Sequence, residues 1–369
     1  MESCSRAPPD GCFRHRVTTV LVSKTMRRVL IGCIAAVVFA TGGVVVAQRA
    51  PTSPPHLPRV SAAALIASTL RALAVGRPVS GSVSAAVDIG IPDVIDVGSL
   101  GASGGALSLL TGTHTMKVWR SADGLRISVI EPTGERALFV SRGHAWAWDF
   151  DSLTAYDLGT IPPLSAFLFG ALGGGGPGTE NILRRGLASA SDTTHVAVQG
   201  TTSVADRSAY RLVVTPSQPG TLVGAVEIDV DAATRLPLAF AVYPRGAKDA
   251  AFSLRFTSVR FNPIDPSTFD FTPPPGIRVR HVGSGGSGIG GLLKGVGGVR
   301  TFGRAWRTVF ALRVPPVARS ALGGVLAGSF LRFAGSLFSV RAVNDRGQSW
   351  LLLGAVPMSR LNDVLGRLP

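Results

Sequence analysis

An uncharged apolar run, Val29–Ala47 (VLIGCIAAVVFATGGVVVA), constrains this chain more than any other feature. As a helix it is roughly 28 Å long, close to the ~30 Å hydrocarbon core of a bilayer. Arg14, Arg16, Lys24, Arg27 and Arg28 precede it, and Gln48 and Arg49 follow. That bias predicts a cytoplasmic N-terminus and an exported remainder. Two fates are open to the segment. It is an uncleaved signal anchor, as the length of the run favours, or a signal peptide with h-region Val29–Ala40, cut after Ala47 at Val45-Val46-Ala47, as Gly42 and Gly43 favour. The corresponding location is the cell membrane, single-pass, or secretion after cleavage. Leu30-Ile31-Gly32-Cys33 resembles a lipobox, but most of the apolar run follows Cys33, which argues against lipidation there.

Cysteine occurs only at Cys4, Cys12 and Cys33, so everything after residue 47 must fold without a disulfide or a cysteine-bound zinc. The chain's formal net charge is +15, supplied mostly by scattered arginine. With no basic helix and no basic patch interleaved with aromatics, the charge predicts an anionic lipid surface as neighbour and no nucleic-acid partner.

The organisation reads in six parts: a basic N-terminus (1–28), the apolar segment (29–47), a proline-rich linker (48–59), a main domain (60–280), a glycine-rich linker (281–303) and a small C-terminal unit (304–369). Val60–Val75 carries Leu65, Ile66, Thr69, Leu70 and Leu73 at helical spacing, with Ser61 as N-cap and Gly76 as C-cap. The rhythm then changes to period two. Strands are expected over Val79–Ile89, Thr113–Arg120, Leu125–Glu131, Arg136–Ser141 and His144–Phe150. They resume over His195–Gln199, Ser208–Thr215, Leu222–Val230, Pro237–Tyr243 and Ala251–Phe261. Short strands joined by tight turns form antiparallel hairpins. A glycine-rich insertion, Gly90–Gly112, and a loop, Gly170–Gly178, interrupt them, and Thr179–Ala190 reads as a helix. The C-terminal unit is expected to hold a strand (Trp306–Val314), a helix or loop near Ala318–Gly328, a hairpin (Leu337–Val343 with Ser349–Val356) and a last helix (Met358–Leu365).

Thr111–Arg126 (TGTHTMKVWRSADGLR), Gly134–Asp149 (GERALFVSRGHAWAWD), Glu227–Leu238 (EIDVDAATRLPL) and Phe269–Val279 (FDFTPPPGIRV) together resemble actinobacterial members of the LolA-like superfamily. That superfamily includes the lipoprotein carrier LolA and the N-terminal domain of MucB/RseB sigma-E regulators. The resemblance spans about Val60–Arg280 and departs from the pattern at Arg235, where glycine is usual. It implies a mainly β fold: a half-open antiparallel β-barrel with covering helices and an apolar cavity, here joined to an N-terminal transmembrane helix and a small C-terminal α+β unit.

Large apolar residues on the alternating strands are the candidate ligand-binding lining: Val118, Ile127, Val129, Phe139, Trp146, Trp148, Phe240, Phe252, Leu254 and Phe256. Periodicity leaves open which of them face inward, because a one-residue register shift exchanges the faces. For any one aromatic, packing in the core is the plainer alternative. Phe167, Leu168 and Phe169 read equally as a membrane-touching loop tip or a loop folded onto the sheet. An acyl chain of about sixteen carbons buried in such a cavity gains on the order of 10 kcal/mol, at ~0.8 kcal/mol per CH₂.

Catalytic signals are weak. His114, His144, His195 and His281 lie far apart in sequence without metal-ligand spacing, and no nucleophile elbow occurs. Gly283–Gly291 is glycine-rich but lacks the lysine of a phosphate loop. Asp229 and Asp231 read as turn residues rather than an acid–base pair. The expectation is a binding protein with no cofactor and no metal: a carrier for lipid or lipoprotein acyl chains. The alternative is an envelope-stress sensor that regulates an anti-sigma membrane protein, as the MucB/RseB resemblance implies.

Overall fold

The computed structural model describes residues 55–90, 111–131, 134–160, 192–281, 299–314, 332–345 and 348–368. Residues 54–369 form one compact unit. The apolar segment 29–47 with Cys33, the Phe167–Phe169 tip, the expected helix 179–190 and the stretch near 318–328 lie outside the described residues. No helix among the described residues is long and apolar enough to cross a membrane.

The first element, α1 (Ala62–Val75), forms where the apolar spacing predicts it. Ser61 accepts the Ala64 N–H at its start. Gly76, at φ 68°, ends it in the left-handed conformation and returns its N–H to the Leu73 carbonyl. Strands follow: β1 (Val79–Asp88), β2 (Thr111–Arg120), β3 (Gly124–Glu131), β4 (Gly134–Ser141), β5 (His144–Asp149) and β6 (Thr154–Thr160). After them come β7 (Thr194–Val204), β8 (Arg207–Pro216), β9 (Val223–Asp231), β10 (Pro237–Pro244), β11 (Phe252–Arg260) and β12 (Arg278–His281). These make one 12-stranded sheet in the order β12-β6-β5-β4-β3-β2-β1-β11-β10-β9-β8-β7. Every pairing is antiparallel except β12 with β6, and the terminal strands β12 and β7 do not pair, so the sheet is open. The fold is mainly β with few helices among the described residues.

Register divides the side chains between two faces. Ala85, Leu254, Phe240, Ile228, Leu212 and Val198 lie opposite one another across β1, β11, β10, β9, β8 and β7. α1 packs on this face, with Leu65 against Tyr210, Leu212 and Val230, and Ala72 against Val79 and Leu236. The opposite face is crossed by the chain itself. After β11, a short 3-10 turn (Pro266–Phe269) buries Phe269 completely over β3 and β4. A Cβ on Gly124 would lie 2.7 Å from the Phe269 ring, so β3 begins with glycine where the crossing segment rests on it. Phe271 then stacks on Phe139, ring centroids 4.8 Å apart, and β12 joins the far edge beside β6.

The C-terminal residues form a second sheet, five-stranded: β13 (Val299–Phe302), β14 (Val309–Val314), β15 (Arg332–Ala334), β16 (Ser339–Asp345) and β17 (Gln348–Gly354), in the order β13-β14-β17-β16-β15. The last helix, α2 (Met358–Leu365), lays Met358, Leu361 and Val364 on Val309, Ala311, Trp350 and Leu352. The described C-terminal residues thus make a sheet with one helix packed on it. The expected 281–303 linker is shorter at both ends, since His281 closes β12 and Val299–Phe302 is a strand. All of β12 is exposed, so it carries no alternation that a sequence reading can detect.

The second sheet shares a core with the first. Leu337, Phe338, Trp306 and Ala355 pack with Val87, Ile89, Val223, Val242, Ala251 and Phe252. Polar contacts fix the junction. Leu222 N–H and the Thr221 hydroxyl donate to the Ala355 carbonyl, and Ser336 N–H donates to that of Ile89. The Trp306 indole donates to Thr194 at 2.8 Å.

Candidate functional site

Cross-strand rows define the apolar surface on β2–β6. One row runs Val118, Ile127, Leu138, Ala147, Tyr156. A second runs Arg120, Leu125, Val140, Ala145, and a third runs Met116, Val129, Arg136, Asp149, Thr154. All three lie on the face that carries α1, because Val79, Gly81 and Val83 of β1 stand opposite Arg120, Val118 and Met116. Met116, Val118, Leu125, Ile127, Leu138, Val140 and Tyr156 are only partly buried. We refer to this partly exposed aliphatic face, which has a polar residue at each margin, as the trough.

Each margin has its own chemistry. Arg136 reaches Asp149 at 3.7 Å and Asp151 at 2.8 Å, and Asp149 also accepts the Asp151 and Ser152 N–H groups in the turn after β5. Arg120 instead donates from Nη2 to the Leu73 carbonyl at 2.7 Å, in the last turn of α1. Burial pulls the Arg120 pKa down from its ordinary value.

The sequence-derived lining divides between the faces. Val118, Ile127, Val129, Phe240, Phe252, Leu254 and Phe256 lie on the α1 face. Val118, Ile127 and Val129 belong to the trough. Phe252 packs into the junction with the second sheet, Phe256 packs with the cluster beneath Ala72 and Leu73, and Phe240 meets Phe252 edge-on at 6.0 Å. Phe139, Trp146 and Trp148 lie on the other face, where Phe271 sits within 6.1 Å of each ring. Those three form a core with the crossing segment. A cleft of about 190 Å³ opens there, lined by Phe139, Ser141, His144, Trp146, Phe269, Asp270 and Phe271. Sequence reading passed over Arg120, Leu138 and Tyr156. The parity of Arg120 with Val118 already puts it on the same face, and this was the available signal.

Titratable groups gather in two other places. His144 and His281, distant in sequence, both contact Asp157, at 2.8 and 3.0 Å. Burial pushes the Asp157 pKa up, but the Gly159 amide and the two imidazoles together hold it below the usual carboxylate value. On β8–β11 the buried Asp229 bridges Arg211 (3.0 Å) and Arg255 (3.2 Å), with Glu227 and Tyr243 alongside. Asp231 is paired with Arg207 at 2.6 Å and accepts the N–H of Ala233 and of Thr234 and the Thr234 hydroxyl. Asp231 thus organises the β9–β10 turn, and Asp229 is neutralised by two guanidinium groups. Among the described residues no His, Cys, Asp and Glu cluster has the makings of a metal site.

No family model matches the chain, and no curated protein matches it in sequence. Among solved structures it is similar to MucB in complex with MucA(peri), at 15% identity and TM-score 0.44, over 82% of this chain and 96% of that one. It is similar to the Pseudomonas aeruginosa MucA/MucB complex at 14% identity and TM-score 0.45, over 82% and 96%. A LolA superfamily protein from Nitrosomonas europaea matches at 12% identity and TM-score 0.24, over 58% of this chain and 99% of that one.

Proposed function

We propose that this chain is a non-enzymatic, extracytoplasmic binding protein that holds a lipid or lipoprotein acyl chain in the β2–β6 trough and is tethered to the membrane through residues 29–47. The observation that carries the reading is the row Val118–Ile127–Leu138: large aliphatic side chains opposed across adjacent strands, on the face toward α1, and still partly exposed. An apolar surface of this kind recovers about 0.8 kcal/mol for each CH₂ that a guest buries there, without any directional polar group. The carboxylates found together are engaged in ion pairs and turns, which supports binding over catalysis. The test is lipid mass spectrometry of the full chain extracted from its own membranes, with its mature N-terminus determined on the same preparation. The expected result is an acyl lipid or acylated peptide at near one per chain, on protein that retains residues 29–47. Protein free of lipid overturns the carrier reading, and a mature N-terminus at Gln48 replaces the tether with secretion.

A second reading has its own observation. On the outer face of the second sheet, Phe310 and Leu353 are opposed and exposed, at 39% and 37%, beside the pair Leu312–Leu351. An exposed apolar strip on a docked unit suits a protein partner. In this reading the chain is an envelope sensor whose partner is an anti-sigma membrane protein, in keeping with its sequence resemblance to MucB/RseB. Crosslinking from position 310 in intact cells discriminates. A membrane regulator as the main adduct favours the sensor, and acylated lipoproteins favour the carrier.

A further inference from the structure

One margin of the trough carries a buried guanidinium N–H without a hydrogen-bond partner. Arg120 closes β2 at the α1 end, between Val79 and Leu125 in the cross-strand rows. Its Nη2 is fixed on the Leu73 carbonyl, while Nη1 is buried and has no hydrogen-bond partner. No carboxylate pairs with Arg120 among the described residues, whereas the guanidinium at the other margin of the trough, Arg136, has Asp149 and Asp151. One turn earlier on α1, the Thr69 hydroxyl is likewise buried without a partner. A guanidinium that only capped α1 would need the Nη2 contact and could leave the rest in water. Here a cationic N–H is held out of water beside an aliphatic surface, and that costs stability unless an acceptor arrives.

Resting on the acyl-binding reading above, we propose that the ligand is a long-chain fatty acid, held carboxylate-first, with Nη1 of Arg120 donating to the carboxylate and the chain laid across Val118, Ile127 and Leu138. From β2 to β6 the trough spans roughly 19 Å at the usual strand spacing, the reach of a long acyl chain. The C-terminal carbonyls of α1 disfavour an anion, but they carry a partial charge and Arg120 a full one. The guanidinium already neutralises the carbonyl nearest to it.

The test uses the full chain in phosphatidylcholine nanodiscs and a diazirine-bearing palmitic acid, compared with the methyl ester of the same probe. Labelling of peptides covering 116–140 is followed against probe concentration. The free acid is expected to half-saturate at about 10- to 100-fold lower concentration than the ester, the range of one charge-assisted hydrogen bond. Arg120→Gln removes that preference while the ester still labels, which shows that the trough remains folded, and Arg120→Lys keeps part of it. Equal labelling by acid and ester in the unaltered chain, or a preference that survives Arg120→Gln, overturns the anchor and leaves acyl binding standing. Labelling by neither probe overturns acyl binding itself. Nanodiscs containing phosphatidylglycerol supply the remaining arm. If they suppress labelling by the acid at equal lipid content, the site reads a phosphodiester headgroup and the fatty-acid assignment fails.

Discussion

Arg235 shows how a single residue can depart from a sequence pattern and keep the turn. It adopts φ 64°, the left-handed conformation that glycine takes without strain, and its N–H closes the turn on the Asp231 carbonyl. Its guanidinium lies 5.0 Å from the centre of the Tyr210 ring. The strain is about 1 kcal/mol and the cation–π contact about 0.5–1 kcal/mol, so the terms nearly cancel. Arg235→Gly should therefore leave the denaturation midpoint almost unchanged, whereas Arg235→Val, bulky at positive φ and without the contact, should lower stability by more than ~1 kcal/mol. Asp231 is the stronger determinant. Burial raises its pKa, but hydrogen bonds from Arg207 and Thr234 outweigh burial and hold it below the ordinary value. A depressed carboxylate stabilises the fold above the unfolded-state pKa of about 3.9 and loses that contribution as pH falls through the folded-state value. Urea melts should thus weaken below about pH 4, with a shallower slope in Asp231→Asn, which itself costs about 2–4 kcal/mol at neutral pH by orphaning Arg207. The turn role of Asp231 was legible from sequence. Its bond to Arg207 was not, because that pair joins residues on adjacent strands and depends on register.

At the scale of elements, strands that alternate were readable and strands that do not were missed. β2–β5 and β8–β11 present apolar residues at period two, and their positions follow from it. β6 (TAYDLGT) and β12 (RVRH) are short and polar, and pairing partners rather than hydrophobic rhythm make them strands. The same limit explains the divided lining. Parity groups Trp146 with Trp148 but does not say that Phe271 will cover them. β12 is held by its ladder to β6 and by the contact of His281 with Asp157, to which His144 also binds. Asp157→Asn should raise amide hydrogen exchange across residues 278–281 by at least several-fold, while β2–β4 stay protected. Equal protection in the variant would assign β12 to its backbone ladder alone.

For the whole molecule, the decisive contact is the junction of the two sheets. Composition suggested a linker and a separate unit, with packing on the barrel as an alternative. Packing is what the structure has, through Leu337, Phe338 and Trp306 against Val87, Ala251 and Phe252. Sequence could not decide this, because those residues are equally good core for either unit alone. Leu337→Ala should cost about 2–4 kcal/mol and expose the region after residue 299 to protease ahead of the first sheet. Unaltered melting and cleavage would make the junction incidental.

The crossing segment behind β3–β5 has a mechanical consequence. It leaves β11 in the middle of the large sheet, is pinned by Phe269 and Phe271, and ends as the outermost strand beyond β6. It therefore girds the wall of the trough like a hoop on a cask. Strands β1–β6 cannot spread apart without first tearing out both phenylalanines.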